Sequence, residues 1–177
     1  KEHLNKATPS SSADTLGSDR LDYLRGIRTK EGNPFRVRSS LLGDIINSAP
    51  IYVSGGGRYL REGIESVSYS SWKASRIAKT PLVFAGANDG MLHAFNASTG
   101  DEVFAYVPSA AATLLSALTD PTYSHLYTVD GSPAAADAFD DADGVVGRTI
   151  VDDDDLVVRC QLPQGGADGF GDVGCAV

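Results

Sequence analysis

Residues 81–109, PLVFAGANDGMLHAFNASTGDEVFAYVPS, constrain the fold of this 177-residue chain more than any other stretch. LVFAGA is typical of a short buried strand, and the alternation in MLHAFNA and EVFAYVP has the period of two half-buried strands. Asn88, Asp89 and Gly90 give the best two-residue hairpin signal in the chain, because Asn and Gly adopt positive φ at low cost. Thr99 and Gly100 mark a second turn, where Gly100 can take the left-handed conformation. The stretch therefore predicts an antiparallel meander of three strands, which is most of a four-stranded blade.

The composition indicates a globular domain with an uneven distribution of charge. Hydrophobic residues make up 42% of the chain and the formal net charge is −8. Residues 1–79 carry 13 Lys and Arg against 8 acidic residues, whereas residues 80–177 carry 2 Arg against 15 acidic residues. A basic half can bind nucleic acid, but these basic residues are scattered, lack interleaved aromatics, and sit in an acidic protein. We therefore expect the two halves to attract each other in one folded body, with no nucleic-acid partner.

The chain contains no run of eighteen apolar residues, so no membrane span is predicted. Its N-terminal residues also lack the charged-then-apolar pattern of a signal peptide. If the protein is exported, we expect this sequence to be a mature form without its leader.

Composition divides the chain into three parts. Residues 1–19 are rich in Ser, Thr, Ala and Asp without an apolar period, which predicts a disordered or linker tail. Residues 20–150 are predicted to form a partial propeller domain. Residues 151–177 are predicted to be a divergent acidic and Gly-rich tail with two Cys, because four consecutive Asp residues cannot enter a buried strand without desolvating charge.

Two prolines are predicted to mark strand entries. Pro50 precedes the β-branched run Ile51–Val53, and a proline without an N–H is tolerated at the first position of a strand or on an edge. The same step from small residues through proline into an apolar run recurs at Pro133, in VDGSPAAADAF. This internal echo favours stacked supersecondary units.

Short helices are expected to interrupt the strands. SDRLDYLRGIR has apolar residues at helical spacing, with Ser18 or Asp19 available as the N-cap. SAAATLLSALTD has the same spacing and is ended by DPT.

No catalytic or cofactor-binding set is predicted. His3, His93 and His125 match no metal motif, no GxSxG elbow is present, and SGGG at residues 54–57 lacks the Lys of a P-loop. We interpret His93 as a hydrogen-bonded blade residue rather than a ligand. The sequence therefore favours a non-enzymatic protein without an evident cofactor.

One acidic cluster leaves calcium open as an alternative. Carboxylates that converge before a Gly turn are typical of calcium loops. Phe139 and the absence of a distal Glu break the EF-hand pattern, so a solvated acidic loop is the competing interpretation. The candidate ligands are Asp137, Asp140, Asp141 and Asp143, followed by Gly144.

The two cysteines, Cys160 and Cys175, fit no zinc or haem spacing. They are either paired in an oxidising compartment or present as two free thiols. We favour a disulfide, because the Gly-rich segment between them is otherwise hard to order.

Two levels of resemblance follow from these motifs. GANDGMLHAFNASTGDEVFAY is similar to the blade pattern of quinoprotein-type propellers, in which the matching residues are architectural. Those residues are Asp89, Gly90, Ala94, Asn96, Thr99, Gly100 and Phe104.

Five motifs in order carry a more specific resemblance. YLRG, FRVRSSLLGDIINSAPIYV, VFAGANDGMLHAF, FAYVPS and YSHLYTVDGSPAAADAF together resemble the C-terminal propeller region of the PilC/PilY family, whose members are associated with type IV pilus tips. The resemblance ends near residues 149–151. It implies an all-β fold: an incomplete β-propeller-like meander of one to two blades with short helical insertions.

The resemblance also implies a function. It indicates an exported protein at the cell surface, outer membrane or pilus, with a part in pilus assembly, adhesion and twitching motility. The implied partners are pilin or minor pilin subunits, the chains or segments that complete the propeller, and a host or abiotic surface. A quinoprotein-type dehydrogenase fragment and an envelope assembly scaffold of the propeller type stay open as alternatives.

Overall fold

A computed structural model describes residues 2–55, 68, 70–71, 74, 77–137 and 156–160 of the chain. Within these residues the fold is mostly antiparallel strand with short helices. The strands are β1 Ile51–Val53, β2 Leu82–Ala87, β3 Met91–Asn96, β4 Glu102–Tyr106, β5 Pro133–Asp137 and β6 Leu156–Cys160. The helices are α1 Gly17–Leu24 and two 3-10 helices, Glu2–Asn5 and Leu115–Thr119. No described helix is long and apolar enough to cross a membrane.

Strands β1 to β4 form one antiparallel sheet in sequence order. Phe84 of β2 is paired with Ile51 on one side and with Ala94 on the other, and Ala94 is in turn paired with Phe104. The predicted meander over β2, β3 and β4 is therefore confirmed. Strand β1 adds a fourth member, so the sheet is a complete four-stranded blade.

One face of this blade carries the main core. Phe84, Leu92 and Ala94 are buried together, with Ala111 and Val129 from the segments that follow β4. The rings of Phe84 and Phe104 meet edge to face, with centroids 6.0 Å apart. Alternation along β2 and β3 places these apolar side chains on one face, as period-two patterning requires.

The β2–β3 turn is longer than the sequence suggested. Ala87 is paired with Met91, so three residues form the loop where we expected a two-residue hairpin. The Gly90 N–H donates to the Ala87 carbonyl at 3.2 Å, and Gly90 has φ 87°. A type I turn followed by a left-handed glycine is the common three-residue hairpin loop, and it leaves Asn88 and Asp89 as the turn's side-chain-bearing positions.

A second sheet begins directly after the blade. Strand β5 pairs antiparallel with β6, with Pro133 opposite Cys160, and β5 lies against β1 and β2. The all-β architecture of one to two propeller-like blades is confirmed. Strand β6 falls within residues 151–177, which the sequence analysis assigned to a divergent tail.

The N-terminal segment packs on the domain. Leu4 is buried in a cluster with Leu115 and Leu118. Arg20 donates from Nη1 to the Leu4 carbonyl at 2.7 Å and forms an ion pair with Asp14. Residues 2–16 therefore lie against the domain and do not extend from it as the linker tail that their composition suggested.

Helix α1 also starts earlier than predicted. Leu16 occupies the N-cap position and makes no side-chain capping bond, so the expected caps Ser18 and Asp19 lie inside the helix. The Leu16 N–H instead donates to Asp14 Oδ1 at 2.9 Å. Because Asp14 also binds Arg20, the start of the helix is fixed by a side chain two residues upstream of the N-cap.

Candidate functional site

A group of polar side chains joins three motif segments at one end of the blade. We call it the polar junction. It comprises Asp44, Asn47, Asn88, His125 and Asp130. The three segments are GDIINSAP, GANDG and HLYTVDGSP, so the junction consists of the same motifs that carry the family resemblance.

Asn88 lies at the centre of the polar junction. It is buried in the β2–β3 turn, and its Oδ1 accepts the Thr128 N–H at 3.0 Å. Its Nδ2 donates to Asp44 Oδ2 at 3.2 Å and to Asp130 Oδ1 at 3.3 Å, while its backbone N–H donates to the Asp44 carbonyl at 3.0 Å. Both ends of the amide are thus used, which is the condition for burying it without a large penalty.

Asp130 is the buried carboxylate of the polar junction. It accepts the Asn47 N–H at 3.0 Å, a short bond from Asn47 Nδ2, and the bond from Asn88. Burial alone would raise the pKa of Asp130, but the donors from Asn47, Asn88 and the Ile46 backbone outweigh it and hold that pKa below its usual value. Asp130 therefore binds the segment before β1 as an anion.

Two serines extend the contact between the segments. The Ser48 hydroxyl accepts the Gly86 N–H of β2 at 2.9 Å, and the Ser132 hydroxyl accepts the Ala49 N–H at 2.9 Å. Gly86 is required here, because a Cβ at that position would lie 2.4 Å from the Val129 carbonyl oxygen. Strand β2 and the segment before β5 therefore approach too closely for a side chain at position 86.

At the exposed edge of the polar junction, His125 and Asp44 form a hydrogen-bonded pair. His125 Nε2 lies 2.8 Å from Asp44 Oδ2, and the His125 ring meets Tyr127 edge to face. Burial alone would raise the pKa of Asp44, but the hydrogen bonds from His125 and Asn88 overcome this and lower it. The pair connects the segment before β1 to the segment before β5 from the solvent side.

A second cluster holds His93 between two carboxylates. His93 is 4% exposed on β3, with Nδ1 2.6 Å from Glu102 Oε1 and Nε2 3.0 Å from both carboxylate oxygens of Asp89. Burial alone would lower the pKa of His93, but the hydrogen bonds and charges of Asp89 and Glu102 outweigh it and raise that pKa. Because both ring nitrogens bind carboxylates, neither is free for a metal ion or a substrate. This agrees with the interpretation of His93 as a blade residue.

The predicted turn and strand-entry residues occupy structural positions. Asp89 accepts from the Gly43 N–H at 2.8 Å as well as binding His93, so the hairpin turn holds the segment before β1. Gly100 has φ 81° in the β3–β4 turn, beside Thr99. Pro50 immediately precedes β1, and Pro133 is the first residue of β5.

Two hypotheses fall on residues beyond those described. Of the candidate calcium loop only the Asp137 backbone, in β5, is described; Asp140, Asp141, Asp143 and Gly144 lie outside the described residues. Cys160 ends β6, and Cys175 lies outside them as well. Calcium binding and the disulfide stay predictions. Among the residues that the structure does describe, no group of three His, Cys, Asp or Glu side chains could hold a metal ion.

The sequence reasoning did not single out the central residues of the polar junction. Asn88, Asp130 and Asn47 stood inside quoted motifs, but each was treated as part of a turn or a strand entry. The available signal was that each of the three motifs contains an Asn or Asp beside Gly or Ser. Such residues usually mark solvated turns, and nothing local shows that they bind one another.

Beside the polar junction, the structure exposes a run of apolar side chains. We call it the apolar strip, and it comprises Leu41, Leu42, Ile45 and Ile46. All four precede β1 and flank Asp44. Four exposed large aliphatic residues within six residues of sequence differ from the scattered single exposures that are normal on a protein surface.

The chain was compared with known families and proteins. The family model described as the PilY1 beta-propeller domain matches residues 42–152. That span covers β1 to β5, the polar junction and part of the apolar strip. No solved structure matches the chain significantly.

Several curated proteins are similar to the chain over most of its length. A type IV pilus biogenesis factor PilY1 homolog of Xylella fastidiosa (strain Temecula1) is 42% identical over 146 residues, covering 79% of this chain and 12% of the relative. The type IV pilus biogenesis factor PilY1 of Pseudomonas aeruginosa strain PAK is 48% identical over 134 residues, covering 72% of this chain and 11% of the relative. The chain thus spans about an eighth or less of the length of these relatives.

Proposed function

Because this chain belongs to the PilY1 family, we propose that it supplies propeller blades to a protein that acts in type IV pilus biogenesis and surface adhesion. The observation that carries the proposal is the coincidence of the family match with a complete four-stranded blade. The match over residues 42–152 contains every strand of that blade and the start of the next. The relatives are pilus biogenesis factors by name.

In the mechanism that we propose, the rigid blade positions exposed loops that contact the partner. The main core and the polar junction fix the blade's strands and the segments that enter them. Binding residues are commonly placed on loops that a rigid scaffold positions. The exposed β3–β4 turn around Thr99 and Gly100 is one such loop, since no other atoms lie within 4 Å of a Cβ built at Gly100.

We further propose that the partners are pilin or minor pilin subunits and a host or abiotic surface. The corresponding location is the cell surface, the outer membrane or the pilus itself. The association of the named relatives with type IV pili supports this proposal.

A non-enzymatic role is part of the same proposal. Its support is that the buried polar side chains described above are used in structural bonds: Asn88 and Asp130 join segments, and His93 is held between Asp89 and Glu102. A quinoprotein-type dehydrogenase would instead need polar groups turned toward a cofactor. An absorbance spectrum of the purified complete protein, taken without added cofactor, would reveal a quinone band if that alternative held.

The test of the proposed role is genetic. The natural gene is replaced by a deletion, by Gly86→Ala, and by the matched control Gly100→Ala. A Cβ at Gly86 would meet the Val129 carbonyl at 2.4 Å, whereas a Cβ at Gly100 meets nothing within 4 Å. We expect the deletion to abolish sheared surface pilin and twitching zones, Gly86→Ala to reduce both, and Gly100→Ala to retain most of each.

The readouts also separate a folding defect from a functional one. An immunoblot for the protein itself reports whether the Gly86→Ala protein persists at a normal level. A deletion strain with normal surface pili, twitching and surface attachment would contradict the proposed role.

A further inference from the structure

The two pre-proline segments lie side by side in matching positions. Asn47 donates its N–H to Asp130, and Ala49 donates its N–H to Ser132. In both pairs the partners are 83 residues apart, and the same number separates Pro50 from Pro133. Two residues of the first segment, Asn47 and Ala49, therefore bond to their own counterparts in the next repeat, as successive units of a stacked or circular repeat do.

This correspondence assigns a counterpart to each residue of the apolar strip near β1. Ile46 corresponds to Val129, and Ile45 corresponds to Thr128. Val129 is 0% exposed and fills the core face of the blade beside Phe84, whereas Ile46 is 54% exposed. Equivalent positions of the two copies thus differ in environment: Val129 packs on the core face of a blade, whereas Ile46 is left largely exposed.

The exposed copy is also the more apolar one. Where the second segment has Thr128, the first has Ile45, which is 38% exposed, and Leu41 and Leu42 shortly before it are exposed as well. Leaving these aliphatic side chains partly exposed to water forgoes the free energy of burying them fully. If this blade packed only against the blade that follows it, apolar residues in the strip would add nothing to its stability.

We propose that the apolar strip packs against a preceding blade. Ile46 would lie on the core face of that blade, as Val129 lies on the core face of the blade formed by β1 to β4. The occupant is a four-stranded antiparallel blade of the same kind, formed by sequence outside these 177 residues. It should carry a glycine at the counterpart of Gly86, because the Val129 backbone approaches β2 too closely for any side chain there. The inference rests on the proposed propeller role and names the surface through which this blade is held.

The length of the relatives favours this occupant over others. The chain corresponds to only 11–12% of their length, and the matching family model describes a propeller domain. Propellers are built from four to eight blades around a channel, and each blade packs between two others. A second copy of this chain is the competing occupant.

The experiment measures access to position 46 by thiol labelling. Ile46→Cys and the matched control Ile77→Cys are made in two forms: the 177-residue chain, and the complete polypeptide from its natural source. Ile77 is an isoleucine outside the strip that is 70% exposed. The extent of maleimide labelling at each position is followed by peptide mass spectrometry, so native cysteines do not interfere. Leu42→Cys provides a second strip position if the first variant is poorly folded.

We expect both positions to react at similar rates in the 177-residue chain. In the complete polypeptide, labelling at position 46 should fall at least tenfold while labelling at position 77 should not change. Equal labelling of position 46 in the two forms would overturn the proposal.

Sedimentation of the 177-residue chain tests the competing occupant. A concentration-dependent dimer that Ile46→Asp abolishes would also overturn the proposal, since it would make a second copy the occupant. A monomer is the expected result. Labelling and sedimentation do not depend on piliation, so this inference and the proposed role in pilus biogenesis can fail independently.

Discussion

Replacing Asn88 by Asp tests the polar junction with a nearly isosteric change. The substitution keeps the acceptor for the Thr128 N–H but removes the two donors that Asn88 gives to Asp44 and Asp130. Hydrogen bonds to charged acceptors contribute about 1.5–3 kcal/mol each. Asp44 is partly exposed, so the lower value applies to its bond. With about 1.5 kcal/mol for the Asp44 bond and 1.5–3 kcal/mol for the Asp130 bond, we expect the free energy of unfolding to fall by about 3–4.5 kcal/mol at pH 7.

The assay is urea unfolding of the 177-residue chain followed by circular dichroism. The matched control is Asn33→Asp, which makes the same change in charge at an exposed position and should alter stability by less than about 0.5 kcal/mol.

The pH dependence of the Asn88→Asp penalty gives a second check. The introduced carboxyl would stand beside two carboxylates whose own pKa values are lowered, so its pKa in the folded state would be raised. The penalty should be complete at neutral pH and should shrink as pH falls through that raised pKa, where protonation restores a donor. A loss equal to that of the control, or one that does not change with pH, would refute the reasoning.

Three further predictions concern single positions. Gly90→Ala should destabilise the chain more than Gly100→Ala. Both glycines have positive φ, which costs about 1–2 kcal/mol for alanine, but a Cβ at Gly90 would also meet Leu115 Cδ2 at 2.7 Å. Equal melting temperatures for the two variants would contradict this prediction. The pKa of His93 is raised in the folded state, so its charged form stabilises the fold. This contribution to the free energy of unfolding is complete below pH 6.5, the ordinary pKa, and is lost as pH rises through the raised pKa of the folded state. His93→Gln should remove that dependence, and an NMR titration with a folded pKa at or below 6.5 would disprove it. Ser48→Ala should cost about 1 kcal/mol in urea unfolding, because it leaves a buried β2 amide without its acceptor; an unchanged midpoint would count against that bond.

The meander could be predicted because its signals are local. Alternation in MLHAFNA and EVFAYVP fixes which residues share a face, and glycines at 90 and 100 fix where the chain reverses. What the local pattern did not give was the loop length at Asn88, because two-residue and three-residue hairpins use the same residue types.

The polar junction could not be predicted, because its bonds join distant parts of the sequence. Asn47 and Asp130 are 83 residues apart, and each looks like an ordinary turn residue. The packed N-terminal segment escaped prediction for the same reason. Leu4 is buried in a cluster with Leu115 and Leu118, which lie more than one hundred residues away. A composition rich in Ser and Thr cannot report such a contact.

The central claim is that the blade is a meander whose entry segment lies beside its counterpart in the next repeat. The most direct measurement is a nuclear Overhauser spectrum of the isotopically labelled chain. We expect cross-strand contacts from Phe84 to Ala94 and from Ala94 to Phe104, together with contacts between Asn47 and Asp130. Two results would contradict this fold: helical contacts between residues three apart within 82–106, or the absence of any contact between Asn47 and the residues around Asp130.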